Sequence, residues 1–251
     1  MRHWPVAIST LQPASHPSIA CRSHAATSRI IRGVPKYVCG CAILSVMNAT
    51  HSSQREHFRD LYRGRPPWDV GYVQQPFVEV ADHIHGTVLE PGCGTGENLL
   101  YFAARGCSAT GVDFVEAAID IARRKAADRK LAAEFLVLDA LHLEQLDKNF
   151  DHVLDCGLFH TFDDADRQAY VASLGRVAAT GTRLWLMCFS DKEPPGFGPR
   201  RITRRELHDA FRDEWQVESI IDTHFASTEE HASKFADRTG PRAYFAQILR
   251  L

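Results

Sequence analysis

From about residue 52 onward the apolar positions alternate between short blocks and helical spacing. Thr87 to Glu90 is a compact block between Gly86 and a glycine-rich turn and predicts a strand; Glu97 to Arg105 then predicts a helix that Gly106 stops. Ala109 to Asp113 predicts the second strand. Val115, Ala118, Ile119 and Ala122 follow at i, i+3, i+4 and i+7, which gives a helix one apolar face and turns Arg123, Arg124 and Lys125 outward. Phe135 to Asp139 is the third expected strand and Asp151 to Cys156 the fourth. The helix after it is expected to bury Tyr170, Leu174, Val177 and Ala178 before Gly181 ends it, with Arg183 to Phe189 as the fifth strand. Thr203 and Glu206 have capping-box spacing and open a helix with Leu207, Ala210, Phe211 and Trp215 along one side. Val217 to Ile221 and Ala243 to Leu249 close the pattern as two strands. Strand–helix alternation at this spacing calls for a doubly wound α/β fold with right-handed crossovers.

The first fifty residues do not share this pattern. Residues 1–55 contain six basic side chains and no acidic one, broken up by Pro5, Pro13, Pro17 and Pro35. These prolines oppose the amphipathic helix of a transit peptide. The expected organisation is therefore a disordered or extraneous leader over 1–50, with Met47 as the preferred start, and one domain over 52–251. The chain has 29 basic and 31 acidic residues in all, a balance with no general attraction for nucleic acid or an anionic membrane. Its seven cysteines have no framework spacing, and Cys21, His24, Cys39 and Cys41 match no usual zinc pattern, so no metal is expected and a reducing, cytoplasmic setting is. The apolar run Val38 to Met47 is too short to span a membrane.

The candidate chemistry lies on the turn after the first strand. Glu90-Pro91-Gly92-Cys93-Gly94-Thr95-Gly96 opens a helix at the place where an open parallel sheet binds nucleotide-like ligands. A dinucleotide fingerprint requires G-x-G-x-x-G, but the third glycine position falls on Glu97 or Leu99 according to the starting glycine. Glu97 also places a carboxylate at the helix end that would receive a pyrophosphate. A nicotinamide-dependent oxidoreductase is thus the weaker of two enzyme readings, and a ligand without phosphate is favoured.

Glu90 to Gly96 resembles the first motif of the class I S-adenosylmethionine-dependent methyltransferases, an acidic residue and one spacer before G-x-G-x-G. Arg63 to Gly71, ending Pro67-Trp68-Asp69-Val70-Gly71, is similar to the T-P-W-D-x-G stretch of the thiopurine and thiol or halide branch. Asp155-Cys156-Gly157-Leu158-Phe159-His160 is similar to a fourth motif within that branch. The resemblance implies a Rossmann-like, seven-stranded sheet, mostly parallel with an antiparallel last strand. It implies S-adenosylmethionine as methyl donor, with Glu90 orienting its ammonium and Gly92, Cys93, Gly94 and Gly96 forming the turn beneath it. Asp113, 17 residues after Gly96, would take the ribose hydroxyls. Phe114 would flank the adenine, with Asp139 and Ala140 beside its amino group; Trp68 would cover the donor and Asp155 would orient its methionine end. Asp139 as a helix N-cap and Trp68 as a packed aromatic are the plainer alternatives.

Methyl transfer from a sulfonium mainly requires donor and acceptor to be held in line away from water, so a general base is optional. His160, expected at the rim after the fourth strand, is the candidate base, the other possibility being a hydrogen-bonded rim histidine, and Asp155 is the neighbouring candidate if it does not orient the methionine end. Leu158, Phe159, Phe162, Trp68 and Tyr72 suggest an apolar wall for a small aromatic or heterocyclic hydroxyl, thiol or ring nitrogen, with Glu193 to Pro199 as a mobile lid. Arg200, Arg201, Arg204 and Arg205 offer either attraction for an anionic acceptor or a solvated helix start. A noncatalytic S-adenosylmethionine-binding regulator is the second alternative, and the oligomeric state is left open.

Overall fold

In a computed structural model the chain is described over residues 55–196, 198–229 and 240–251. The expected leader and its cysteines lie outside these residues. One sheet holds seven strands: β1 Thr87–Pro91, β2 Ser108–Asp113, β3 Ala133–Val137, β4 Phe150–Cys156, β5 Ala178–Phe189, β6 Trp215–His224 and β7 Arg242–Arg250. Their order is β3-β2-β1-β4-β5-β7-β6. Strands β1 to β5 pair in parallel, and β7 runs antiparallel to both β5 and β6. Only the last strand is therefore reversed, in agreement with the expectation.

Side chains alternate across this sheet with period two, which builds a core on each face. Val88, Trp185, Met187 and Phe245 join one core, whereas Leu89, Leu184, Leu186 and Ala246 join the other. The first face is covered by α1 (Gln75–Glu79), α2 (Glu97–Ala104) and α3 (Glu116–Asp128) through Phe77, Leu99, Phe102, Ile119 and Ala122. The second is covered by α4 (Asp164–Gly175) and α5 (Arg204–Ala210) through Tyr170, Leu174 and Leu207. The capping box of α5 is formed in full, Thr203 accepting from the Glu206 N–H and Glu206 from the Thr203 N–H. Residues 55–61 are helical as well.

Three expected boundaries move. Strand β3 ends at Val137, so Asp139 lies two residues beyond it and caps a 3-10 segment, Ala140–Leu146. Helix α4 ends at Gly175; Val177 accepts the Phe150 N–H, and Ala178 already pairs with Phe150 in β5. Register then jumps to His152 opposite Arg183, which places Gly181 in a bulge with φ +95° instead of at a helix end. Trp215 begins β6 and packs edge-on against Phe211 at 5.9 Å, so the contact expected along one helix is made between a helix end and a strand.

Candidate active site

The strand order reverses between β1 and β4, and a cavity of about 970 Å³ opens at the carboxyl ends of these strands. Trp68, Glu90, Gly92, Cys93, Gly94, Gly96, Asp113, Phe114, Asp139, Ala140 and His160 all line it, but Asp155 does not.

The turn after β1 is set by its backbone and by Asp113. Gly94 has φ +51° and Gly96 +83°, both in the left-handed region that side chains disfavour. A Cβ on Gly94 would lie 2.6 Å from the Tyr62 hydroxyl, and one on Gly96 would lie 2.8 Å from the Phe135 ring. Asp113 Oδ2 accepts the Gly94 N–H at 3.0 Å, while Oδ1 accepts the Val115 N–H at 2.8 Å. One carboxylate thereby fastens the turn to the start of α3. Burial raises its pKa to about 6, with these two bonds working against the shift. Gly94→Ala is expected to lower stability by about 1–2 kcal/mol through the left-handed backbone alone, measured by urea unfolding. The same substitution displaces the Tyr62 hydroxyl, which lies 2.6 Å from where the new Cβ would stand.

Glu90 says most about the ligand. It is buried at the end of β1; Oε1 accepts from Asn98 Nδ2 at 2.8 Å, and Oε2 makes no hydrogen bond. Burial pushes its pKa up to about 8, while Asn98 and the nearby Leu99 N–H favour the charged form. A buried carboxyl with an unpartnered oxygen, on a residue that lines the cavity, suits a cationic partner such as an ammonium. Asn98 is absent from the residues expected at the site; a polar residue among the buried Leu99, Leu100 and Phe102 of α2 is the signal that could have found it.

Residues 55–72 fold over the turn. Phe58 meets Trp68 and Phe114 edge-on at 5.9 and 6.0 Å, and Trp68 Nε1 donates to the Tyr62 hydroxyl at 3.2 Å. Burial and the neighbouring Asp113 hold the Tyr62 phenol protonated. Trp68 is 42% exposed, placing it at the cavity mouth. Asp139 pairs with Arg55, whose guanidinium also lies 5.3 Å from the Phe114 ring centroid, and it caps the Leu141 N–H at 3.1 Å. Thr95 Oγ donates to Asp69 at 2.8 Å. Phe58 and Tyr62 are not evident from the sequence, because aromatic spacing in a short N-terminal helix does not reveal which loop it will cover.

Glu97 requires a correction. Lys125 and two Arg129 nitrogens engage its carboxylate at 2.8–2.9 Å and hold its pKa below the usual value against the burial that raises it. Its charge is thus compensated, and repulsion of a pyrophosphate is a weaker argument than the sequence alone suggests; the glycine register carries the distinction.

Asp155 and His160 also differ from expectation. Asp155 is fully buried and takes N–H groups from Leu158 at 2.9 Å and Phe159 at 3.2 Å together with the Tyr170 hydroxyl at 2.9 Å. It shapes the turn that presents Leu158 and His160 and is absent from the cavity wall. His160 is buried instead of rim-exposed: its Nδ1 accepts the Phe189 N–H at 2.9 Å, which assigns the ring proton to Nε2. Burial, with Arg201 adding to it, pushes its pKa down to about 3, far from the near-neutral value expected of a base.

Beside His160 stand Phe189 at 4.9 Å and Phe225 at 5.8 Å, two aromatic wall residues that the sequence did not disclose. Leu158, Phe162, Trp68 and Tyr72 line the cavity as expected, whereas Phe159 packs away from it against Phe211 at 5.5 Å. The expected lid is tied down: Arg201 donates to Pro194 O and Pro199 O at 2.7 Å, and Glu193 accepts the Arg242 N–H at 2.8 Å. Arg200 pairs with Asp164 and Glu206, and Arg204 with Asp222 at 3.2 Å, so these charges face their own carboxylates. Arg205 lies 3.5 Å from Asp209 in the same way, so three of the four arginines are compensated by carboxylates.

Among known families, a methyltransferase-domain profile matches residues 88–181. The 2-heptyl-1-hydroxyquinolin-4(1H)-one methyltransferase of Mycobacteroides abscessus is 32% identical over 179 residues, which are 66% of this chain and 79% of that protein. A probable thiol methyltransferase 2 of Arabidopsis thaliana is 27% identical, covering 57% of this chain and 65% of its own length. A solved structure described as showing conversion of a disulfide bond into a thioacetal group during echinomycin biosynthesis superposes with a TM-score of 0.70 at 32% identity, over 78% of this chain and 92% of its own. Magnesium protoporphyrin IX methyltransferase from Synechocystis PCC 6803 with bound SAM shares the fold at TM-score 0.52 and 18% identity, over 70% of this chain and 74% of its own.

Proposed function

The chain belongs to the class I S-adenosylmethionine-dependent methyltransferases, and on that premise we propose that it methylates an oxygen, nitrogen or sulfur of a small aromatic or heterocyclic acceptor. The observation that carries this reading is the wall of Phe189, Phe225, Leu158 and Phe162 that shares one cavity with Glu90 and Asp113. Aromatic walls with few polar groups favour flat, apolar acceptors. Two relatives support the class, one named for a hydroxyquinolone and one for a thiol.

Bound in this cavity, S-adenosylmethionine supplies an electrophilic methyl group on a charged sulfur. Glu90 would hold the ammonium through its unpartnered oxygen, the turn from Gly92 to Gly96 would support the methionine and ribose, and Asp113 would offer its remaining lone pairs to the ribose hydroxyls. Phe114 and Ala140 would border the adenine, at the end of the cavity where Asp139 holds Arg55. Trp68, held by its bond to the Tyr62 hydroxyl, would shield the sulfur from water. Asp155 takes no part beyond fixing the turn before His160. The catalytic unit is residues 52–251, and the four free cysteines among the described residues suit a reducing, cytoplasmic setting. No helix among the described residues is long and apolar enough to cross a membrane.

His160 acts in this scheme as a neutral hydrogen-bond donor through Nε2, not as a base. His160→Ala is expected to slow transfer by about tenfold, the worth of one hydrogen bond, with donor affinity unchanged. The pH–rate profile should keep its shape; loss of an ascending limb in the variant would restore the general-base role.

The deciding experiment is transfer from tritiated S-adenosylmethionine to a panel of hydroxyquinolones, phenols, thiols and nitrogen heterocycles. Incorporation into one class identifies the acceptor atom. Donor binding by calorimetry with no incorporation across the panel would favour a noncatalytic regulator instead.

A further inference from the structure

Glu90 is joined to the loop after β6 by a continuous hydrogen-bonded chain. Asn98 Nδ2 donates to Glu90 Oε1 at 2.8 Å, and Asn98 Oδ1 accepts the Gln74 N–H at 3.0 Å. The Gln74 side chain then brackets one residue of the loop: its Nε2 donates to Ala226 O at 3.1 Å, and its Oε1 accepts the Ala226 N–H at 2.8 Å. Gln74 and Asn98 are both buried, so a broken link leaves an amide group without water to replace its partner.

Residues 225–227 of this loop also line the cavity, on the side of His160 and Phe189. Phe225 packs on His160 at 5.8 Å and on Phe189 at 5.4 Å. The Thr228 N–H donates to Pro67 O at 3.2 Å, next to Trp68. One short stretch thus carries an acceptor-side ring, a tie to the cover and, through Gln74, a connection to the carboxylate that meets the ammonium.

We propose that Asn98 and Gln74 are positioning residues that transmit occupancy of the ammonium position at Glu90 to the 225–228 loop, so that the donor sets the acceptor wall and the acceptor binds second. This rests on the assignment of the ammonium to Glu90. The direction of the chain gives the mechanism. A charged Glu90 admits only the N–H side of the Asn98 amide, which commits Oδ1 to the Gln74 N–H. A Glu90 carboxyl that has taken up a proton can offer its O–H to Asn98 Oδ1; the amide can then turn over and Gln74 loses its acceptor. An ammonium on Oε2 keeps Glu90 charged and so selects the first arrangement. Because coupling is reciprocal, a loop held in place also favours the donor.

Hydrogen exchange of the full chain, with and without saturating S-adenosylhomocysteine, tests this without any acceptor. In the wild type the ligand is expected to slow exchange in the peptide spanning 225–229 by about fivefold or more. In Gln74→Met that protection disappears, and calorimetric affinity for S-adenosylhomocysteine falls by no more than the same factor of about five, because linkage makes the two effects equal. Gln74→Glu keeps the bond from the Ala226 N–H, loses the one to Ala226 O and should show partial protection; it carries the test if Gln74→Met does not fold. Equal protection in wild type and variants, or ligand binding with no protection in the wild type, overturns the relay and leaves the donor site standing. Absence of a binding heat removes both.

Discussion

Affinity for S-adenosylmethionine is expected to fall by two to three orders of magnitude when Glu90 is replaced by glutamine. Glutamine preserves the shape and can still accept from Asn98, but it presents no charge to the ammonium. Removing one partner of a buried, hydrogen-bonded charge pair costs roughly 2–5 kcal/mol, because the remaining charge is left desolvated and unmatched. The open Oε2 is where that pairing would be lost. Calorimetry at fixed pH measures the change, and an affinity within tenfold of wild type would remove Glu90 from the ammonium position.

The same carboxyl gives the binding a definite pH dependence. With its pKa raised to about 8 by burial, Glu90 must release a proton to receive the ammonium below that value. Affinity should therefore rise by up to about tenfold per unit from pH 6 to about pH 7, and level off toward pH 8, where an α-amino group of reference pKa of about 8 is half charged. Binding in Glu90→Gln should show no such slope. Stability of the unliganded protein moves the other way. The folded state keeps a proton on Glu90 that the unfolded chain, at the ordinary value of 4.5, has released, so stability falls as pH rises through the interval up to about 8. Asp113 and Asp155, raised to about 6, contribute the same sign at lower pH. His152 and His160, lowered to about 4 and about 3, act oppositely: their contribution is lost as pH falls from 6.5. Between pH 6.5 and 8 the Glu90 effect stands alone, at most about 2 kcal/mol over that span, and thermal melts of wild type against Glu90→Gln should isolate it.

β1 could be read from the chain because it is a short apolar block bounded by Gly86 and Gly92, in a motif whose spacing is restrictive. The boundaries that moved share a cause. Val177, Ala178 and Trp215 continue a helical spacing, yet an apolar residue at such a position fits the first residue of a strand equally well, and pairing with Phe150 or packing on Phe211 decides the matter. That the residues expected around a donor line one cavity was legible for the same reason as β1: they are contiguous or end neighbouring strands. The aromatic wall beside His160 was not. His160, Phe189 and Phe225 come from the ends of three strands far apart in sequence and meet only because β4, β5 and β6 all point the same way. Nor could the sequence show that Asp155 turns inward to Tyr170 or that His160 spends its Nδ1 on a backbone amide; both depend on the side chain's direction after the strand ends.

Asp113 gives the second large effect, and it differs in kind from the first. A carboxylate whose only task is to hold two ribose hydroxyls would cost about 1–3 kcal/mol of donor binding on removal and leave the fold untouched. Here each oxygen already accepts a backbone N–H, from Gly94 and from Val115, and the carboxylate is buried. An asparagine in its place could serve only one of these donors, because its NH₂ group would face the other; in Asp113→Ala neither N–H is satisfied. Asp113→Asn is accordingly expected to lose roughly 1–3 kcal/mol of unfolding free energy, one buried donor's desolvation, and Asp113→Ala more. Both should lose at least about a hundredfold in donor affinity as the Gly94 turn is released along with the ribose contact. Urea unfolding and calorimetry on the same samples separate the contributions. Glu90→Gln should weaken binding while leaving the unliganded protein at least as stable as wild type at pH 8, since it removes a buried, half-partnered charge. Asp113→Asn should lower both quantities together. If Asp113→Asn unfolds at the wild-type urea midpoint, the turn is held by its glycines alone, and the carboxylate at the end of β2 serves the ligand only.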